Sequence, residues 1–291
     1  MVDLLSSNCI ELVDNGLNSS RIKPLSALAE VFSDSIPAGS IKQILDLLTQ
    51  HVRNAAEVKG LQTPSGSAFS NSRGFWFEVI VAAHAWNYRL MRGLTDYFII
   101  KMPNLKTFDF RRIFDEQTDN MLRELELSFP EGVRLLSASP DLIIIQQKNL
   151  LTDSDDQLLN LSEQNVLRLT RSYNEISGKC KWSAVKAGIG LTTSMRPDRR
   201  LQLIYEGNML KSVFAHLNIR HWDNKVNFDY YGASGEKLSN ADKEALQTAA
   251  THTIVDVNAT PSRAVDEIYS LHDTDHIYTM LDEIMEREFS A

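Results

Sequence analysis

Cysteine is nearly absent. Cys9 and Cys180 are the only two in 291 residues. Two thiols cannot build a disulfide scaffold, and nothing about them suggests a zinc site. A pair of buried or free thiols suits a reducing compartment. Long apolar runs are also missing. No stretch of 18 or more apolar residues occurs, so no membrane span is expected. The N-terminus has no basic region followed by an apolar one, so no signal peptide is expected. No excess of basic residues appears: Lys and Arg total 30 against 38 Asp and Glu, a net charge of −8. That argues against a protein that coats nucleic acid non-specifically. A specific DNA enzyme remains open, because it can gather its cations in one cleft and leave the outside acidic. A glycine-rich phosphate loop is absent, which gives no support to a nucleotide-binding protein. Neither an internal repeat nor a low-complexity linker breaks the chain, and a single domain over 1–291 is expected.

What is present is ordinary for a globular protein, with 43% hydrophobic and 23% charged residues. Residues 1–65 read as a helical part. Ser26 to Phe32 and Ser40 to Val52 space apolar residues at three and four, Ser40 is placed to cap, and Pro37 and Gly39 separate the two. Gln62 to Arg73 reads as a Ser/Gly/Pro connector, followed by a long helix from about Gly74 to Leu90. Glu78 lies among Phe75, Trp76, Val79 and Ile80, and a carboxylate there needs an ion pair or a cation. His84 reads as a packed helix residue. A charged helix is expected around Phe114 to Leu127. Arg134 to Ile145 reads as a buried strand that Pro140 confines to a strand start or edge. Asp141 then stands at its mouth, as a turn residue or a metal ligand. Asp153, Asp155 and Asp156 fall in a polar excursion. Lys179 to Lys186 suggests a helix leading into a second central strand. Glu206 opens an amphipathic helix, Tyr230 to Gly235 reads as a loop, and helices are expected at Asp242 to Thr251 and Thr274 to Glu288.

The most distinctive stretch is Leu191 to Arg200, which packs Arg196, Asp198, Arg199 and Arg200 into five residues. Arginine offers a rigid fork of donors, and its bidentate pair with guanine O6 and N7 is the commonest base-specific contact. An Asp between two such forks can accept from cytosine N4 and hold them in place. The plain alternative is a charged surface turn held by Pro197. Near this stretch stand three carboxylates, Glu78, Asp141 and Glu206. Two of them converging on Mg²⁺ could polarise a phosphate and activate water.

Taken in order, Ser139-Pro140-Asp141, then Ser194-Met195-Arg196-Pro197-Asp198-Arg199-Arg200, then Glu206 resemble the CCGG-cutting branch of the type II restriction endonucleases. That branch belongs to the PD-(D/E)XK superfamily and includes NgoMIV, SgrAI and AgeI; the match looks closest to enzymes that cut RCCGGY. The resemblance runs from about Arg73 to Ser212. It implies an α/β (α+β) fold with a central mixed sheet flanked by helices. It implies Asp141 and Glu206 as Mg²⁺ ligands, the second acid displaced onto a helix so that position 190 stays non-acidic, as Gly190 does. Glu78 becomes an accessory carboxylate. Arg196, Asp198 and Arg199 become readers of the CCGG core, and Arg200 a phosphate or structural partner. Double-stranded DNA containing CCGG is the implied partner, with a homodimer or tetramer in the bacterial cytoplasm; a two-fold dimer matches a palindrome. Trp222 is either an ordinary core tryptophan or a residue buried between subunits.

One position departs. The family pattern Lys-x-Ser-x-Arg puts a lysine four residues before its first arginine, and this chain has Thr192 there. Threonine brings no positive charge to a scissile phosphate. The chain is therefore read as an inactivated variant. The alternatives are that Lys186 reaches the site, or that the protein binds DNA and cuts it slowly. A sequence-specific DNA-binding protein on a nuclease scaffold is the competing function.

Overall fold

Four branched apolar residues after Asp141 set the centre of the molecule. The computed structural model describes residues 4–13, 19–103, 108–135, 138–151, 157–222, 226–255 and 260–290. The central sheet has five strands. The first three in spatial order are β3 (Tyr97–Lys101), β4 (Leu142–Gln146) and β5 (Val185–Thr192); β6 (Asp229–Ser234) and β7 (Glu267–Ser270) follow. β3, β4 and β5 pair antiparallel, and β5, β6 and β7 pair parallel, so the sheet is mixed. Every residue of β3 is buried, as are Leu142 to Ile145 of β4. Continuous apolar runs of this kind belong to strands covered on both faces.

Helices supply that cover. α3 (Gly66–Met91) packs against β3 and β5, and α9 (Asp275–Ser290) packs on α3. α6 (Pro197–His221) packs against β6, and Phe214 stacks on Phe228 with centroids 4.1 Å apart. α4 (Glu116–Leu127) lies against α6, and α5 (Glu163–Arg171) against α3. At the N-terminal end, α1 (Pro24–Phe32) and α2 (Ile41–Val58) pack on each other and on α3. This is the expected α/β fold with a mixed sheet flanked by helices.

Several local expectations are corrected. The part before residue 65 is not wholly helical, because β1 (Ile10–Leu12) and β2 (Ser20–Ile22) form a small antiparallel sheet. Ser40 sits at the start of α2, but its hydroxyl caps nothing. The Ser/Gly stretch from Gly66 onward is helix: Ser65 accepts from Ala68 N at 3.2 Å, and Phe69 is buried. Only one 3₁₀ turn, Trp182–Ala184, stands where a helix before β5 is expected. α6 begins at Pro197 rather than Glu206, with proline at its first turn, where its missing N–H costs nothing. Tyr230 to Ser234 is a central strand, not a loop, and Glu267 to Ser270 adds a strand that the sequence does not suggest. The short helices α7 (Asn240–Leu246) and α8 (Thr251–Val255) fill the region between them. His84 is packed as expected, its ring nitrogens 3.0 Å from the Tyr278 hydroxyl and from Pro37 O. Trp222 is 95% exposed in a left-handed conformation after α6, so it is not a core residue. Asp153, Asp155 and Asp156 lie outside the described residues.

Candidate active site

Asp141 comes to the site because Pro140 ends the preceding irregular segment and β4 begins just after it. The backbone holds it from both sides: Met102 N donates to Asp141 O at 2.8 Å, and Leu191 N donates to Asp141 Oδ2 at 2.6 Å. The second bond ties the acid to the last turn of β5. Burial raises the pKa of Asp141 well above the ordinary carboxylate range, and the charge of Glu78 pushes it further. The Leu191 N–H and the Lys101 charge oppose this, and Glu206 adds a smaller upward push. Glu78 projects from α3, where Lys101 Nζ bonds its Oε2 at 2.6 Å. Lys101 supplies the ion pair that one of the two readings of Glu78 expects; Arg73 pairs with Asp46 instead.

Glu206 arrives from α6. Tyr230 Oη donates to its Oε2 at 2.6 Å and Gln202 Nε2 to its Oε1 at 2.8 Å. Burial raises its pKa, and those two hydrogen bonds and Arg199 pull it down. Position 190 explains why the acid must come from the helix. A Cβ at Gly190 would run into the Tyr230 hydroxyl and lie 2.5 Å from Leu203 Cδ2. The space beside β5 is already filled by α6 and by the residue that holds Glu206.

The arginine-rich stretch is the N-terminal turn of α6, exposed toward solvent. Arg196 Nη2 is 3.0 Å from Asp198 Oδ2, and Arg199 Nε is 4.0 Å from the same oxygen. Arg199 Nη1 donates to Gln202 Oε1 at 2.7 Å, and Gln202 in turn donates to Glu206. Residues 199, 202 and 206 share one helix face, so a chain of hydrogen bonds runs from the arginine cluster to the acid. Arg200 turns away to pair with Asp242 at 3.0 Å, which favours its structural alternative. Glu78, Lys101, Thr192, Arg196 and Arg199 line one cleft of about 660 Å³.

Thr192 is buried, and its hydroxyl donates to Ser194 O at 2.8 Å, closing the turn before Arg196. Lys186 does not substitute for it. Lys186 sits at a β-bulge near the start of β5, where the register with β4 shifts. Six residues of strand, about 20 Å, separate it from Thr192. Glu78 and Glu206 both act on Asp141 by charge, yet the three carboxylates are not drawn within 4.8 Å of one another as a set.

Sequence reasoning misses two contributors, Lys101 and Tyr230. Lys101 had a readable signal, a lone cation closing the apolar run Tyr97 to Ile100. Tyr230 had none, because its neighbours looked like a loop.

A mixed sheet carrying one acid at the mouth of β4, a second delivered by the helix after β5, and an arginine cluster between them defines a nuclease of the restriction-endonuclease fold. A profile of the Cfr10I/Bse634I restriction endonuclease family matches residues 7–287. The chain is 29% identical over 250 residues to the type II restriction enzyme Cfr10I of Citrobacter freundii, covering 84% of this chain and 87% of that protein. Its structure matches that of the Bse634I restriction endonuclease with a TM-score of 0.93 and 52% identity, over 98% of this chain and 99% of the other. It matches the crystal structure of the type IIF restriction endonuclease Bse634I with cognate DNA at 0.92 and 51%, over 97% and 99%. The chain belongs to the Cfr10I/Bse634I family of type II restriction endonucleases.

Proposed function

We propose that this chain recognises a CCGG-core palindrome, R/CCGGY, with Mg²⁺ as the cofactor of phosphodiester hydrolysis, and that Thr192 leaves this form catalytically impaired. The observation that carries the reading is the linked path Arg196–Asp198–Arg199–Gln202–Glu206, which joins an exposed base-reading cluster to a buried acid. Arg196 and Arg199 read guanine edges in the major groove, and Asp198 holds the Arg196 fork and accepts from cytosine N4. Arg200 braces α6 through Asp242.

The donor set fits a hard divalent cation, because Asp141, Glu206 and Glu78 offer only oxygen. Asp141 and Glu206 would hold the ion, with Glu78 as the accessory acid. Bound there, Mg²⁺ supplies polarisation of the phosphate and a lower pKa for water. The chain's own part is to place these acids and to favour their charged forms against the burial that opposes them. The Leu191 N–H does so for Asp141, and the Tyr230 hydroxyl does so for Glu206. Thr192 cannot add the cation that would meet the scissile phosphate.

The second reading, a sequence-specific DNA-binding protein without cleavage, is favoured by one observation: the Thr192 hydroxyl is committed to Ser194 O. Both readings treat the chain as one restriction-endonuclease-like unit acting in the bacterial cytoplasm. The reading includes a homodimer, paired further into a tetramer; Trp222 and Ile219, both exposed at the end of α6, offer an apolar surface for a contact between subunits.

A band-shift titration tests recognition. RCCGGY duplex should bind far more tightly than a shuffled duplex of equal length in the same salt. Arg196→Ala should cost about 1–3 kcal/mol and relax selectivity at one base pair. Equal weakening on every sequence would remove Arg196 from the reading role.

A further inference from the structure

The oxygen-only acids Asp141, Glu78 and Glu206 do not close into a compact set, but a different trio does. Cys9 stands just before β1, Glu30 lies on α1 and His51 on α2. Their Sγ, carboxylate and imidazole ligand atoms lie within 4.8 Å of one another. His51 Nε2 is 2.8 Å from Glu30 Oε2, with side chains 13% and 15% exposed, and Cys9 is fully buried. We propose that Cys9, Glu30 and His51 form a metal site of the zinc type, distinct from the carboxylate centre, that clips the N-terminal strand to α1 and α2.

Zinc takes thiolate at about 2.3 Å and imidazole or carboxylate at about 2.0 Å in a tetrahedron. Ligand atoms then stand roughly 3.3–3.7 Å apart. His51 Nε2 and Glu30 Oε2, at 2.8 Å, stand closer than this and part when an ion enters, while all the ligand atoms already lie within 4.8 Å of one another. A cavity of about 520 Å³ lined by Leu4, Glu30, Gln50, His51 and Asn54 opens beside the set, leaving a fourth position for water.

The surroundings supply an outer shell. Ser7 Oγ lies 2.6 Å from Glu30 Oε2 and 3.0 Å from Cys9 Sγ. With one proton to give, the Ser7 hydroxyl donates to Glu30 and accepts from the Cys9 thiol. The Asn8 amide donates to Glu30 Oε1, and the Lys59 ammonium to Ser7 O. Metal entry releases the Cys9 proton to solvent, and Ser7 then turns its proton to the thiolate. Sulfur and imidazole favour zinc or cobalt over magnesium, which separates this site from the oxygen donors of the cleft.

The test is a Co²⁺ titration of the intact chain after chelator treatment, with Asp141→Ala as background to silence the cleft. One equivalent should bind with the charge-transfer absorption of a cobalt–thiolate, resist excess Mg²⁺ and yield to Zn²⁺. Cys9→Ser should abolish the band, and Cys180→Ser should leave it. His51→Gln, on the less buried wall, should weaken binding by more than the ~10–100-fold typical of an outer-shell loss, and it decides the matter if Cys9→Ser does not fold. Absence of a thiolate band, a band that follows Cys180, or unchanged affinity in His51→Gln overturns the proposal.

Discussion

The two ends of β5 carry similar inventories of charge and are wired differently. At its start, Asp229, Asp266 and Glu288 gather near Lys186 and Lys211. Lys211 Nζ bonds Asp266 Oδ1 at 2.6 Å, the other Asp266 oxygen accepts from Tyr230 N at 2.7 Å, and Asp229 accepts from the Tyr231 hydroxyl at 2.9 Å. Two acids there have close, short-range partners, while burial and then the charge of Asp229 raise the pKa of the third, Glu288, against the opposing charge of Lys186. At the other end, the charges of Glu78 and Glu206 both press on the buried Asp141. Lys101 is engaged by Glu78, and position 192 contributes only a hydroxyl. Acids that a fold uses as struts are neutralised locally, because an unpaired buried charge is costly. A buried acid left under the push of its neighbours, as Asp141 is, marks a place for an outside cation to compensate it. The lysine that β5 does carry stands at the end that already has one.

That contrast can be broken by removing an acid from either end. In a Thr192→Lys background, Asp141→Ala should lower DNA cleavage by at least ~10³-fold while leaving RCCGGY binding in place, as read by single-turnover cleavage beside a band shift. Retained cutting would take Asp141 out of the catalytic set. Lys101→Met in the same background should cost on the order of 10-fold in rate near neutral pH. Loss of the Lys101 charge also lets the Asp141 pKa rise, so the acidic limb of the pH–rate profile should move to higher pH. An unmoved limb would make Lys101 a strut for Glu78 alone.

The smallest effect belongs to the start of the strand. Burial, then Asp229, raises the Glu288 pKa to about 7. The folded state therefore holds that proton more tightly than the unfolded one. Its contribution to stability is complete below the unfolded pKa and fades as pH rises through about 7. Glu288→Gln should raise Tm at about pH 8 and change little at about pH 5, a difference on the order of 1–2 kcal/mol after solvent screening. A gain of equal size at both pH values would contradict this wiring.

The same contrast explains what could be read from sequence. Asp141 was legible because Pro140 and four branched apolar residues fix a strand start, and a strand start fixes where its first side chain stands. The arginine cluster was legible as a recognition element, yet its helix was placed nine residues late. Leu201 to Tyr205 alternate like a strand, but Leu203 is buried while Leu201 and Tyr205 face solvent on a helix that Pro197 begins. β6 was hidden for a physical reason. A strand covered on both faces shows no alternation, and Gly232 looks like a turn residue, although a Cβ there would sit 3.2 Å from Leu203 Cδ1. With β6 taken for a loop, Tyr230 could not be placed under Glu206. β1 and β2, three residues each, are too short to show a period. The distance from Lys186 to the site needed the strand, not the composition.

The most direct measurement is Mg²⁺-dependent cleavage of a plasmid carrying RCCGGY sites by this chain and by Thr192→Lys under single-turnover conditions. The account predicts that the lysine form cuts at those sites at least ~10²–10³-fold faster, the worth of one well-placed donor at the reacting phosphate. Equal rates in the two forms would contradict it, because another cation of the cleft, Lys101 first among them, would then already serve the scissile phosphate.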